Sequence, residues 1–221
     1  MNKEWNKPLE EKISILKNIR DVHTLRKLFV DELNYDYTDY EARIDYPESI
    51  KRNVVSTKVI SEKSDVKIVF CTIDKLLKGN ERTIVESIAR YHPSNLIVFT
   101  NKENNEFHFI NTRYIGKEEK QARGFRRITV GKTDRLRTAA ERLSKIFAPE
   151  GISAPALMVK CEEAFDVEAV TEEFYKEFVK RYKDFRKVIQ EGQKLSEKDA
   201  DWFPPTSRQE RVRHAAQGKR R

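Results

Sequence analysis

The sequence predicts an α/β protein of the α+β kind: a small mixed sheet flanked by helices, then a long C-terminal amphipathic helix and a disordered basic tail. Three observations lead there. Strand-like apolar runs at 53–62, 66–74, 95–100 and 106–115 are interrupted by helical periodicity instead of following one another without a break. A helical pattern with one apolar face recurs late in the chain, and after Gly192 apolar residues all but vanish. The expected divisions are an α/β module over 1–150, a linker and amphipathic helix over 151–192, and a flexible tail over 193–221.

Taken in order, Pro8 suits the first turn of a helix. Leu9, Ile13, Leu16, Ile19, Leu25, Leu28 and Phe29 then recur at helical spacing, with a junction near 20–23 that splits the run in two. The Tyr- and Asp-rich stretch 35–49 reads as a loop or an irregular strand. Between the second and third strands, Asn80 is a candidate N-cap, Ile84, Val85, Ile88 and Tyr91 share a side, and Pro93 closes the helix. NKENN (101–105) reads as a hairpin turn before EFHFINTRYI. A basic loop, GKEEKQARG, leads into the strand FRRITV and the helix TDRLRTAAERLSKIF, whose core face is Leu136, Ala140, Leu143 and Phe147. After a break at 148–156, Asp166 is placed to cap the last helix, whose apolar stripe is Val167, Val170, Phe174, Phe178, Tyr182, Phe185 and Ile189.

Charge is the strongest functional signal. The net charge is +8, but residues 113–145 alone carry eleven Lys/Arg against four Asp/Glu, and residues 208–221 six against one. A mildly acidic body with two basic zones points to a polyanionic partner. Guanidinium forks match phosphate oxygens, so duplex DNA backbone is the expected contact. The candidate residues are Arg126, Arg127, Lys132, Thr133, Arg135 and Arg142, supplemented by Arg113, Lys117, Lys120 and Arg123. Lys132 and Thr133 are expected at a helix N-terminus, which also favours an anion. The competing reading is a solvated face, since Arg137–Glu141 and Glu141–Lys145 are i,i+4 pairs. A nucleotide P-loop is excluded because its first glycine position holds Arg126.

Three phrases carry a resemblance: YHPSNLIVFTNKENNEFHFINTRY, RGFRRITVGKTDRLRTAAERLSKI and EAFDVEAVTEEFYKEFVKRYKDF. In wording and order they resemble the N-terminal part of large DNA adenine-N6 methyltransferases of the type IIG restriction-modification kind and their phage-defence relatives such as BREX. The resemblance covers about residues 50–190. It implies a DNA-engaging or scaffolding module that leads toward a methyltransferase domain. The Asn/Asp-Pro-Pro-Tyr/Phe fingerprint of that domain is absent, the sole Pro-Pro lying in WFPPT. S-adenosylmethionine is therefore expected only for a methyltransferase part absent from this sequence, and the chain reads as the front piece of such an enzyme.

Such enzymes often carry an N-terminal nuclease, and the order helix, strands, helix, strand over 8–100 is compatible with a nuclease-like core. A metal-dependent nuclease needs two acidic groups on Mg²⁺ and a lysine beside them. The candidates are Asp45, Asp65 and Lys67, with Glu62 or Glu11 as extra ligands, although the SEKSD setting of Asp65 reads as a hairpin turn. A third reading makes the 166–190 helix a docking element for the methyltransferase body. His23, His92, His108 and His214 are scattered, with no carboxylate or cysteine at ligand spacing, so no metal is expected. Cys71 and Cys161 are too few for a disulfide framework, which points to a reducing, cytoplasmic setting. The N-terminal MNKEWNKPLEEK lacks the apolar core of a secretory signal, and no apolar run is long enough for a membrane span.

Overall fold

The structure, a computed structural model, describes residues 5–114, 123–134, 136–166, 175, 177–185 and 188. The chain divides into two units, Met1–Asp166 and Val167–Arg221. In the first, the elements run α1 (Leu9–Lys17), α2 (Val22–Lys27), β1 (Asp36–Glu41), α3 (Glu48–Lys51), β2 (Val54–Lys63), β3 (Val66–Ile73), α4 (Lys78–Tyr91), β4 (Asn95–Asn101), β5 (Glu106–Tyr114), β6 (Arg123–Gly131), α5 (Arg137–Ser144) and α6 (Ala154–Ala164). This is a mixed α/β fold around one six-stranded sheet, as the sequence predicts. No helix among the described residues is long and apolar enough to cross a membrane.

The sheet order is β1-β2-β3-β4-β5-β6. Every neighbouring pair is antiparallel except β3 and β4, which run parallel because α4 carries the chain back across the sheet between them. The β2–β3 turn is made by Ser64 and Asp65 at φ 49° and 67°, the positive pair that a two-residue hairpin requires.

Strand alternation sorts the core into two layers. On one face Phe107 and Phe109 of β5 and Ile128 and Val130 of β6 pack with Leu16 of α1, Leu28 and Phe29 just after α2, Leu143 of α5, Leu157 of α6 and Phe165 just after it. On the other, Val69, Cys71, Ile97, Phe99 and Ile110 pack against Ile84, Val85 and Ile88 of α4. The split near residue 20 is made by the Asp21 capping box, where Asp21 Oδ1 accepts from Thr24 N at 2.8 Å. α2 then continues as a π-helical turn, Leu28–Glu32. That turn ends at Asn34, whose φ of 64° lets the Tyr35 N–H reach Phe29 O at 2.9 Å.

Two departures from the sequence reading concern helices. α4 starts at Lys78 with Leu77 as its N-cap, so Asn80 sits inside the first turn. Residues 154–164, read as linker, form α6, with Ser153 accepting from Ala156 N and a proline in the first turn. Leu157, Cys161 and Ala164 of α6 are buried in the aromatic layer, so this helix belongs with the sheet. In the second unit the residues from 177 to 185 are helical, and the Phe178 and Tyr182 rings stack at 6.1 Å; Val167, Val170, Phe174 and Ile189 of the expected stripe lie outside the described residues. The expected tail, 193–221, lies outside the described residues.

Candidate nucleic-acid interface

β6 is an edge strand, and Arg126 and Arg127 are successive residues on it, so they face opposite layers. Arg126 turns toward the end of α6. Its Nη1 donates to Asp166 Oδ1 at 2.8 Å and to Phe165 O at 3.4 Å. Arg142 of α5 converges on the same place: its Nε donates to Ala164 O at 2.7 Å, and its guanidinium lies 5.8 Å from the Phe165 ring centroid. The last carbonyls of a helix have no partners of their own and carry its negative dipole end. These two arginines supply donors there. Burial, then the neighbouring Arg126 charge, lowers the Arg142 pKa from its ordinary value.

Arg127 turns the other way, toward α4. Its Nη1 lies 3.4 Å from Glu81 Oε2 and 3.4 Å from His108 Nδ1. Glu81, in the first turn of α4, is completely buried and hydrogen-bonds His108 Nδ1, while His108 Nε2 bonds Glu106 at 2.7 Å. Burial by itself would lower the His108 pKa, but the bonds to Glu81 and Glu106 outweigh it and leave the pKa raised. With both ring nitrogens engaged, this imidazole has no lone pair free for a metal or for general-base work. The absence of a carboxylate near His108, expected from sequence, is thus corrected. Glu106 was legible as i−2 on the same strand face. Glu81 was not, because only the α4 crossover brings it there.

Lys132 and Thr133 are exposed in the turn between β6 and α5, ahead of the helix rather than on its first turn. In that turn the Asp134 carboxylate accepts from Gly131 N at 2.8 Å. Arg137 pairs with Glu141 at 3.0 Å, as its spacing predicts, whereas Lys132 and Lys145 form no ion pair among the described residues. Arg113 and Arg123 lie on β5 and β6, paired strands; their side chains, and all of Lys117, Lys120 and Arg135, lie outside the described residues. From β6 through Lys145, six cations with described side chains (Arg126, Arg127, Lys132, Arg137, Arg142 and Lys145) face two carboxylates, Asp134 and Glu141, with Glu81 and Asp166 borrowed from elsewhere. Two positive charges remain in excess.

Between β6 and α5 lies a groove of about 320 Å³ lined by Arg127, Ile128, Thr129, Asp134, Thr138, Ala139 and Arg142.

The nuclease candidates are not brought together. Asp65 occupies the β2–β3 turn, with Lys67 just beyond it on β3. Asp45 lies in the segment tied to Thr57, where Ala42 N donates to Thr57 O at 2.9 Å and Tyr46 Oη meets Thr57 Oγ1 at 2.7 Å. At the strand rise, Thr57 and the turn are roughly 20 Å apart. Glu62 pairs across from Lys67, and Glu11 is on α1 in an ion pair with Lys7. Among the described residues no group of three potential ligands is placed to hold a metal ion. Burial pushes the Cys71 and Cys161 thiols up to about 12, so neither is a ready nucleophile.

Compared with known proteins, the chain matches no family model, no curated protein and no solved structure.

Proposed function

We propose that this chain is a non-catalytic DNA-engaging module of a restriction-modification or phage-defence adenine methyltransferase, built on a nuclease-like scaffold. The observation that carries the reading is the positive excess along β6 and α5, two charges among the described residues, which persists after the internal ion pairs are counted. Two further observations support it. Two of the phrases that resemble the methyltransferase family span the units β4–β5 and β6–α5, and the third begins at the end of α6. The order of a helix, three antiparallel strands, a crossover helix and a parallel strand suits a nuclease-like core, while the spread of Asp45 and Asp65 suits one without its metal site.

The roles within the basic zone divide. Arg126 serves the end of α6 first. Lys132, Lys145 and the outward part of Arg127 and Arg142 meet phosphates. The partner is double-stranded DNA, and no cofactor is assigned to this part. Fluorescence anisotropy of a labelled duplex at several salt concentrations tests this. Binding that weakens steeply with salt is expected, and no binding at low salt would end the reading. Supercoiled plasmid incubated with Mg²⁺ or Mn²⁺ should stay uncut. The docking alternative draws on Phe185 and Val188 in the second unit, exposed at 59% and 65%. It predicts salt-insensitive association with a methyltransferase part instead.

A further inference from the structure

We propose that the groove where α1, α5 and α6 meet is a phosphate-binding site of its own, built by Lys12, Lys145 and Lys160. The inference deepens the DNA-binding reading and rests on it for the source of the phosphate, the duplex backbone.

The three lysines come from three helices of one layer. α1, α5 and α6 all pack on the aromatic face of the sheet, through Leu16, Leu143 and Leu157. The groove between them holds about 410 Å³, and all three lysines line it. Two contacts show how the side chains come together. The Lys12 ammonium lies 5.3 Å from the centroid of the Trp5 ring, and Lys160 Nζ donates to Phe147 O at 3.0 Å. Trp5 and Phe147 are themselves walls of the groove. Lys145 contributes from the end of α5, two residues before Phe147.

The charge gathered there is unmatched. The Lys12 and Lys145 side chains have no hydrogen bond and no ion pair among the described residues, and Lys160 uses one of its three donors on a carbonyl. Glu163 is the one carboxylate in the lining, and among the described residues it pairs with none of the three. Two positive charges therefore remain around a small volume. This sets the groove apart from Arg126, Arg127 and Arg142, each of which finds an acceptor in the fold. Like charges held beside low-dielectric walls disfavour one another, and they focus their field on an incoming anion.

The lining also narrows which anion. Trp5 and Phe147 are 4% and 7% exposed, so neither ring offers a face on which a base stacks. The Ser144 hydroxyl already donates to Ala140 O at 2.6 Å. What is left for a ligand is ammonium charge, and lysine meets phosphate as a point charge without reading a sequence. Lys145 belongs as well to the basic zone of β6 and α5. The groove thus continues that zone around the end of α5 and adds Lys12 and Lys160, which lie far from it in sequence.

The test uses the full chain carrying Trp202→Phe, in which Trp5 is the sole tryptophan and reports from the wall of the groove. Inorganic phosphate at constant ionic strength, and separately a DNA duplex, should each change its emission. Lys160→Gln should weaken both responses; glutamine keeps a donor for Phe147 O while removing the charge. In parallel, Lys12→Gln and Lys160→Gln should each flatten the logarithmic salt dependence of duplex binding by about one unit. Glu163→Gln should act in the opposite sense and tighten duplex binding about twofold, the effect of one carboxylate about 10 Å away across water. If duplex binds with a slope that both lysine variants leave unchanged, and Trp5 emission stays constant, the groove is not a phosphate site, although the DNA-binding reading survives. If inorganic phosphate changes Trp5 emission while no duplex binds at low salt, the site stands and the DNA reading fails. If neither ligand has any effect, both are overturned.

Discussion

Arg126 and Arg127 are adjacent, carry the same charge and end up in different situations. Arg126 closes the aromatic layer of the core by bonding Asp166 and a carbonyl at the end of α6. Arg127 closes the aliphatic layer on the other face by reaching the buried Glu81–His108 pair beneath α4. The difference teaches how an edge strand ends a two-sided core. Each layer reaches the last strand with polar groups still unmatched, backbone carbonyls on one side and a carboxylate on the other. A long cation bridges from the strand to either while keeping its stem on apolar surface. Dense positive charge on a folded segment is thus partly a seam, and only what remains after the seam is a surface for a partner.

The α4 side should prove the more fragile of the two seams. Glu81 is completely buried, so Glu81→Ala strands His108 and Arg127 without their shared acceptor, a change that typically costs about 3–5 kcal/mol. Urea denaturation should show that loss as a large drop in midpoint, and a shift within error would mean the network carries no stability. The same network sets a pH dependence. The folded His108 pKa is raised above its ordinary value of 6.5. Its stabilisation is therefore fully present below that unfolded value and is lost as pH rises through the higher folded one. Wild type should lose this stability as pH rises above the ordinary value of 6.5, and His108→Gln should not; parallel pH profiles for the two would contradict the assignment.

The contrast between the faces also marks what was readable in the sequence. Periodicity located β2, β3, β4 and β5 to within a residue or so: β3 and β4, buried on both faces, are written as nearly continuous apolar runs, and β5 as an alternation. It also located the core face of α5, where Leu136, Ala140, Leu143 and Phe147 are all buried. It missed α6, whose start in GISAPA looks like a linker until Ser153 is seen to cap it and Pro155 to occupy its first turn. The site was half legible. Composition alone marked the basic zone and the Arg137–Glu141 pair. That Arg126 and Arg142 meet at Ala164–Asp166, some 22 to 40 residues away, follows from the path of the chain and not from any local pattern. Glu81 reaching His108 from 27 residues away is the same case.

On the α6 side the effects should be smaller and unequal. Arg142→Ala removes a charged donor to Ala164 O and its packing on Phe165, worth about 1.5–3 kcal/mol. Arg126→Ala breaks an ion pair whose two side chains are 28% and 34% exposed, and its cost should stay under about 1 kcal/mol. Thermal unfolding of the two single variants checks the order. Equal losses would mean the two arginines act as one unit rather than as anchor and supplement.

The smallest effect on stability should accompany the clearest effect on binding. Lys132 is exposed in the β6–α5 turn and Lys145 is exposed at the end of α5, and neither has an ion pair among the described residues. Nothing in the fold depends on their charge, so Lys132→Ala and Lys145→Ala should each change stability by less than about 0.5 kcal/mol. If they touch DNA phosphates, each substitution removes one counterion-releasing contact and should flatten the logarithmic salt dependence of duplex binding by about one unit. Arg126 behaves in the opposite way: Arg126→Ala should cost stability yet leave that slope alone. A slope that falls for Arg126→Ala and holds for both lysines would invert the division between seam and surface, and would assign the DNA contact to the end of α6.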